Sequence, residues 1–242
     1  MSLPTPHRNA ANGRSAARLR PAVAERAPLQ VFGPGARDGE AAAHGAERAA
    51  ATPAGPHAAE IEGLVERLLA LLGEDPGRDG LRKTPHRVAK MYREVLAGYG
   101  QDIDTILNGA LFDVAYGEGE MIVVAGIDFQ SMCEHHLLPF TGRAHVAYEP
   151  RDRVVGLSKI PRLVDMFARR LQIQERLTNE IADSLVTALD PVGAMVVLEG
   201  EHSCASLRGV KKHGVNMVTT ARRGSFAADP ALRDEFYRLI GR

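Results

Sequence analysis

The sequence contains few of the residues that build disulfide scaffolds, membrane spans or nucleic-acid-binding surfaces. Its 242 residues include two cysteines and no tryptophan, and only 5% are aromatic. Two cysteines are too few to close a cysteine-only structural zinc site. Lysine plus arginine equals aspartate plus glutamate, so no net positive charge attracts nucleic acid. No apolar run reaches the ~20 residues of a membrane helix, so we expect neither nucleic acid nor a membrane as a partner.

Residues 1–57 lack lysine and show no sustained apolar period. They are rich in alanine, arginine, glycine and proline, a composition that buries too little surface to offset the entropy lost on ordering. We therefore predict a disordered N-terminal tail over residues 1–57. Its early arginines faintly resemble a transit peptide, but serine is scarce and the apolar segment of a secretory signal is missing. A cytoplasmic protein is expected.

Residues 58–100 have the pattern of two helices. Apolar residues recur at helical spacing from Ile61 to Leu72, and Gly73 is a plausible stop. Thr84 is the predicted N-cap of the second helix, with Pro85 at its first position. The apolar spacing then carries that helix to Gly98.

Residues 101–242 mix strand and helix patterns, which predicts an α+β fold. Helices are expected from Ser158, as N-cap, through Leu171, and from 173 to 190. A short helix capped by Asp229 ends the chain. On an extended segment His202 and Cys204 would share one face. Strands in hairpin order are predicted at 121–129, 144–148, 154–157, 194–198 and 215–220.

Both cysteines lie beside histidines, which predicts one metal site formed by two distant segments. Cys133 and His136 have the spacing of a tight-turn chelate, although His135 is an alternative ligand, and Cys204 supplies the third donor. Two cysteines and one histidine leave a fourth position open, a pattern typical of catalytic zinc. A disulfide and two ordinary buried thiols are the alternatives, but stable disulfides are rare in the cytosol and the histidines beside both cysteines favour the metal.

A strand-to-helix junction at Ser158 suggests a phosphate site. The N-terminus of a helix attracts anions, and Lys159 and Arg162 place cations where the helix dipole disfavours them. Arg208, four residues after Cys204, adds a charge beside the predicted metal. An ordinary capped helix with solvated basic residues explains Ser158, Lys159 and Arg162 equally well.

Glu175 opens the next predicted helix, directly after Gln174. A carboxylate can accept hydrogen bonds from the N1–H and 2-amino groups of guanine. By residue type alone, however, a glutamate in the first turn of a helix is usually solvated and is favoured there by the dipole.

Three strings of residues together resemble the signatures of the GTP cyclohydrolase I family. The resemblance extends over about residues 60–240 and includes the second-helix entry Thr84-Pro85-His86-Arg87. The strings run from Cys133 to Gly142, from Val155 through Arg162 to Thr178, and from Glu201 to Val210.

The resemblance implies a tunnelling fold, in which paired antiparallel helices cover an antiparallel sheet, over residues 101–242. It implies a homodecamer with active sites between subunits, and conversion of GTP and water to 7,8-dihydroneopterin triphosphate and formate. One Zn²⁺ per subunit would be held by Cys133, His136 and Cys204, which selects His136 over His135. The remaining implied roles are proton transfer by His135 and His202, ribose and phosphate contact by Ser158, guanine binding by Glu175 with Gln174, and triphosphate binding by Lys159, Arg162 and Arg208, with Arg87 and Lys90 as further candidates.

Two other classes of protein share parts of this pattern. A catalytically silent nucleotide-binding relative would be expected to lack a ligand or a proton-transfer histidine, and none is missing. A tunnelling-fold enzyme that attacks a deazapurine through a cysteine needs no zinc. The downstream pair of His202 and Cys204 argues against that alternative.

Overall fold

The computed structural model describes residues 57–114, 117 and 119–242. Residues 1–56 lie outside this part of the chain, so the predicted tail stays a prediction. Among the described residues, no helix is both long and apolar enough to cross a bilayer.

The two predicted N-terminal helices are present as α1 (Ala58–Leu71) and α2 (Thr84–Val95). Gly73 has a φ of +85°, as expected for a residue that ends a helix. The predicted N-cap is wrong by one residue, because Thr84 is already helical and Lys83 precedes the helix without a capping side chain.

The second helix also ends earlier than predicted, at Val95, and a 3₁₀ turn follows at Ala97–Gly100. A close approach between backbones explains this change. The Gly98 N–H donates to the carbonyl of Arg169, and a Cβ at Gly98 would lie 2.1 Å from the Met166 carbonyl oxygen. The chain therefore leaves the α-helical path where it packs against a later helix.

The main sheet has five strands in the order β5-β2-β3-β6-β7. All five predicted strand regions are confirmed, although four of the five strands run further than predicted. The pairs β2–β3, β3–β6 and β6–β7 are antiparallel, while the unpredicted β5 lies parallel to β2. An unpredicted β1 pairs with β4 in a separate two-stranded sheet. The strands are β1 (Leu111–Asp113), β2 (Ile122–Cys133), β3 (Pro139–Glu149), β4 (Arg153–Val155), β5 (Leu171–Gln172), β6 (Gly193–His202) and β7 (Asn216–Gly224).

The remaining helices are α3 (Ile103–Leu107), α4 (Lys159–Ala168), α5 (Gln174–Leu189), α6 (Ser203–Ser206), α7 (Ser225–Ala228) and α8 (Pro230–Leu239). The predicted helix after Ser158 ends at Ala168 instead of Leu171, because Leu171 and Gln172 pair with β2. The cap of the last helix is confirmed, since the Asp229 side chain accepts a hydrogen bond from Ala231 N–H.

Two apolar clusters stabilise this mixed α+β arrangement. The larger joins α4 and α5 to the sheet through residues such as Leu163, Leu177 and Val196, all at most 2% exposed. The smaller packs Phe226 and Phe236 against Met195 and Val197. Buried apolar area of this kind contributes about 25 cal/mol per Å² to folding, so both helix layers are fixed firmly to the sheet.

Candidate metal centre and active site

Cys133 is the last residue of β2, and the chain turns through Glu134, His135 and His136 before β3 begins. Two backbone hydrogen bonds close this turn: Cys133 N–H donates to the Leu138 carbonyl (2.9 Å) and Leu137 N–H donates to the Cys133 carbonyl (2.9 Å). The Cys-x-x-His segment is therefore a tight turn, as its spacing predicts. Cys133 is buried, whereas both histidines are exposed.

The third predicted ligand reaches this turn from the end of β6. His202 ends the strand and Cys204 lies in the helical turn α6, so the two do not share a face of an extended segment as predicted. The turn brings Cys204 to the first segment. Donor atoms of Cys133, His136 and Cys204 all lie within 4.8 Å of one another.

This donor set fits a zinc ion. Thiolates and imidazole are the ligands that Zn²⁺ takes in proteins, and three of them leave a coordination position open. Both cysteines are free thiols. Burial, and then the neighbouring Cys133, raise the pKa of the Cys204 thiol. A cation between the two sulfurs would offset that cost of forming thiolates.

Two further predicted residues adjoin the three donors. The Arg208 guanidinium lies 2.8 Å from His136 Nε2, so its charge is beside the candidate metal site. The His135 ring is exposed, with its centroid 6.3 Å from that of His136. Arg208 and His135 are therefore both close to the candidate ligand His136.

His202 is held from two directions by groups within the protein. Its ring stacks on Phe140 with centroids 4.5 Å apart and planes 4° from parallel. Its Nε2 lies 2.9 Å from the Oε1 of Gln174. Burial lowers the pKa of His202, and the nearby carboxylate of Glu175 opposes that change in pKa. Glu175 itself is exposed at the first turn of α5.

The side chain of Gln174 is completely buried, unlike that of Glu175. Its amide makes hydrogen bonds only within the protein. A contact between Gln174 and guanine would therefore use its backbone. Guanine binding by Gln174 stays a prediction, limited to its backbone atoms.

Ser158, Lys159 and Arg162 lie at the N-terminal end of α4. The Ser158 side chain makes no capping hydrogen bond, and the Lys159 N–H donates to the Gly156 carbonyl (2.8 Å). Within the described residues, no hydrogen bond or ion pair joins these three side chains to the cysteines. Arg87 and Lys90 are exposed on α2, with no side-chain partner in the same part of the chain.

Sequence patterns missed several residues that support the site. Phe140 stacks on the His202 ring. Arg176 is ion-paired with Glu134, which lies in the turn between Cys133 and His136. Both are adjacent to or inside the strings that resemble the family, but their partners are far away in sequence. A cavity of about 340 Å³ between α2, α4 and β2 contains none of the predicted site residues.

Comparison with known proteins gives a consistent result. A family model described as GTP cyclohydrolase I matches residues 61–241. A GTP cyclohydrolase 1 from Leptospira biflexa is 49% identical over 180 residues, which cover 74% of this chain and 97% of that protein. One from Synechococcus sp. (strain JA-3-3Ab) is 53% identical over 176 residues, 73% of this chain and 76% of that protein.

A third relative, the GTP cyclohydrolase 1 of Campylobacter jejuni subsp. jejuni serotype O:23/36, is 51% identical over 181 residues. That match covers 75% of this chain and 94% of the relative. Identity near one half over 76–97% of these relatives and a family match over residues 61–241 lead to one assignment. The chain belongs to the GTP cyclohydrolase I family of hydrolases.

Proposed function

We propose that this chain hydrolyses and rearranges GTP to 7,8-dihydroneopterin triphosphate and formate, the first step towards folate or tetrahydropterin. The observation that carries the proposal is the group of donors from Cys133, His136 and Cys204, within 4.8 Å of one another and adjoined by two further histidines. A silent nucleotide-binding relative would have no need of this complete set.

The metal in this proposal is one Zn²⁺ per subunit, held by Cys133, His136 and Cys204. When bound, zinc acts as a Lewis acid and makes water acidic enough to react at neutral pH. Cys133 and Cys204 supply thiolates from a buried strand end and a helical turn, and His136 supplies a neutral imidazole. The Arg208 guanidinium beside His136 adds positive charge for an incoming phosphate chain.

Proton transfer falls to His135 and His202. Opening the imidazole ring of guanine and releasing C8 as formate requires protons to be moved to and from ring nitrogens. Histidine suits this work because its ordinary pKa is about 6.5. The neutral form of His202 is favoured by burial, so this residue is ready to accept a proton. Ser158 is assigned to the ribose and phosphates in the later rearrangement.

Substrate recognition is divided between the N-terminal ends of α4 and α5. Glu175 accepts from guanine N1–H and the 2-amino group, with backbone assistance from Gln174. Lys159 and Arg162 hold the triphosphate with Arg208, and Arg87 and Lys90 are further candidates. Lys159 opens α4, whereas Glu175 lies beyond β5 in the first turn of α5.

The active sites are proposed to lie between subunits, as the resemblance to the family implies. A phosphate group bound at Lys159 of one chain would be paired with Glu175 and the metal group of another. Such a site agrees with a tunnelling fold assembled as a homodecamer, in which symmetry repeats each interface. The exposed β7 edge and the long unpaired part of β2 leave backbone groups available for this assembly.

The test is turnover of GTP by the purified protein, followed by pterin fluorescence and by formate release, with zinc content and particle mass measured on the same sample. We expect one formate per pterin, about one zinc per chain, and loss of turnover on chelation that zinc restores. Tight GTP binding by a zinc-loaded, fully assembled protein without formate release would reject the proposal in favour of a silent binding protein.

A further inference from the structure

The buried amide of Gln174 has only one orientation that fits its surroundings. Its Nε2 faces the carbonyl oxygens of Leu198 (3.2 Å) and Met217 (2.8 Å), and the hydroxyl of Thr219 (3.1 Å). Carbonyl oxygens accept hydrogen bonds and cannot donate them, so the atom that faces them must be the nitrogen. The Oε1 atom of Gln174 is thereby fixed on the side of His202.

This orientation determines which nitrogen of His202 carries a hydrogen. Gln174 Oε1 accepts and cannot donate, so His202 Nε2, 2.9 Å away, must be the donor. In a neutral imidazole the other nitrogen, Nδ1, is then an unprotonated acceptor. Nδ1 has no hydrogen-bond partner among the described residues, and stacking on Phe140 stops the ring from turning over freely.

We propose that Gln174 is a positioning residue, which holds His202 in the Nε2–H tautomer so that Nδ1 is the atom that exchanges protons with the substrate. The inference rests on the proposed function and makes the role of His202 in it more specific. It also gives the side chain of Gln174 a task other than contact with guanine.

The proton balance of this arrangement is simple. In the neutral state the Nδ1 lone pair takes one proton from water or substrate, and the ring becomes an imidazolium. Nε2 keeps its own hydrogen throughout, and Gln174 Oε1 accepts from it in both states. His202 then returns the Nδ1 proton to a nitrogen of the opening ring, without any change in its contact with Gln174.

Turnover of Gln174→Met tests this role, because methionine fills a similar volume but accepts no strong hydrogen bond. We expect kcat for GTP to fall ~10–100-fold with a change in KM of less than ~3-fold, by analogy with the loss of hydrogen-bond partners of metal-bound histidines. In a His202→Ala background the same substitution should cost less than ~3-fold more, since its effect passes through His202.

The matched control is Thr219→Val, which disturbs the same buried amide from its donor side but leaves Oε1 beside His202. We expect it to lower kcat by less than ~3-fold, and both variants to keep zinc content and particle mass. A rise in KM with kcat preserved in Gln174→Met would overturn the proposal in favour of guanine contact. If the double variant Gln174→Met/His202→Ala lost kcat by the product of the two single losses, Gln174 would act independently of His202. That result would overturn the proposal in favour of a general structural role.

A neutron crystal structure of the perdeuterated protein tests the tautomer directly, whether or not GTP is turned over and even if Gln174→Met fails to fold. At about pH 8, where an ordinary histidine is neutral, deuterium should appear on Nε2 of His202 and not on Nδ1. Deuterium on Nδ1 with a bare Nε2 would overturn the inference. That result would leave the proposed GTP chemistry standing. An inactive protein with the expected tautomer would reject the GTP chemistry, and with it proton exchange with the substrate, and would leave only the positioning of His202 by Gln174.

Discussion

The guanidinium of Arg176 is ion-paired with the carboxylate of Glu134, which joins the first turn of α5 to the turn that carries the candidate metal ligands. Arg176 also donates to the Gln172 side chain (2.9 Å) and to the Leu171 carbonyl (3.0 Å). Hydrogen bonding from Arg176 lowers the pKa of Glu134 and keeps that carboxylate charged. This ion pair therefore connects the turn that carries the candidate metal ligands to the start of α5, where Glu175 lies.

Arg176→Met should weaken metal binding although Arg176 does not contact the three donors. Without the guanidinium, Glu134 loses its partner and the turn from Cys133 to His136 becomes less ordered, so we expect zinc affinity to fall at the low end of the ~10–100-fold range for outer partners. Competition with a chromophoric chelator measures it. Arg170→Met is the control, because that guanidinium lies over the rings of Tyr99 and Phe167, not at the turn.

Removal of any one metal donor should abolish bound zinc and turnover together. Cys133→Ala, His136→Ala and Cys204→Ala each leave only two donors in a site that has no spare one among the described residues. His135→Ala is the matched control: it should keep zinc yet lose turnover by the ~10²–10⁴-fold typical of a proton-transfer group. Metal analysis with GTP turnover distinguishes them, and full zinc in Cys204→Ala would remove that residue from the site.

His145, far from the metal group, should make the protein less stable in mild acid. It is 8% exposed, and its Nδ1 accepts from Gly126 N–H at 3.3 Å. Burial lowers the pKa of His145; the Glu199 carboxylate opposes this change, and Arg242 and Arg143 each add a smaller lowering effect. The unfolded chain, with its ordinary pKa near 6.5, then binds more protons, so stability is present above that pH and is lost as pH falls towards the folded pKa.

The measurement is the unfolding temperature between about pH 7.5 and pH 5.5, in wild type and in His145→Gln. Glutamine can still accept from Gly126 N–H but does not titrate, so the variant should have a flatter profile. The exposed His213→Gln should keep the wild-type slope. Equal slopes in all three proteins would show that His145 does not titrate differently on folding.

Local patterns predicted the elements of this fold well, because helix periodicity, caps and strand alternation are short-range signals. The helix α5 and the Asp229 cap are examples. Long-range effects caused the errors. β5 is only two residues long and forms because Met132 and Cys133 offer a parallel partner, and α2 ends where Gly98 meets the backbone of α4.

In the candidate site too, short-range patterns were predicted and long-range contacts were not. The grouping of Cys133, His136 and Cys204 was predicted from spacing and resemblance, since each ligand lies inside a short string of unusual residues. The environment of His202 was not predicted, because Phe140 and Gln174 reach it through strand register and burial. A buried glutamine and an exposed one look the same in a sequence.

Glu175→Gln should distinguish two bases that share one triphosphate. The amide places a donor against the guanine donors and loses a charge-assisted bond, which costs roughly 1.5–3 kcal/mol. Inosine triphosphate lacks the 2-amino group, so its kcat/KM should fall less than that of GTP. Arg162→Ala is the matched comparison and should weaken both substrates alike. Equal losses for the two substrates in Glu175→Gln would return Glu175 to the status of a solvated helix-start carboxylate.

Mixed assemblies of two impaired variants test whether one active site takes residues from two chains. Glu175→Gln, in the first turn of α5, damages the guanine end of a site, and Arg162→Ala, near the start of α4, damages the phosphate end. If the ends that meet in one site come from different subunits, random co-assembly restores about a quarter of the sites, because each intact end is drawn from half of the chains.

The control pairs two lesions at the same end of the site, Glu175→Gln with His202→Ala, in which no combination of subunits rebuilds an intact site. The two chains of each pair carry different affinity tags, are co-expressed, and are purified on both tags so that only mixed particles are assayed. Recovered GTP turnover in the first pair and none in the second is the expected result. No recovery in either pair, in particles shown by mass to contain both chains, would mean that a single subunit holds guanine and triphosphate together and would remove the interfacial site from the proposal.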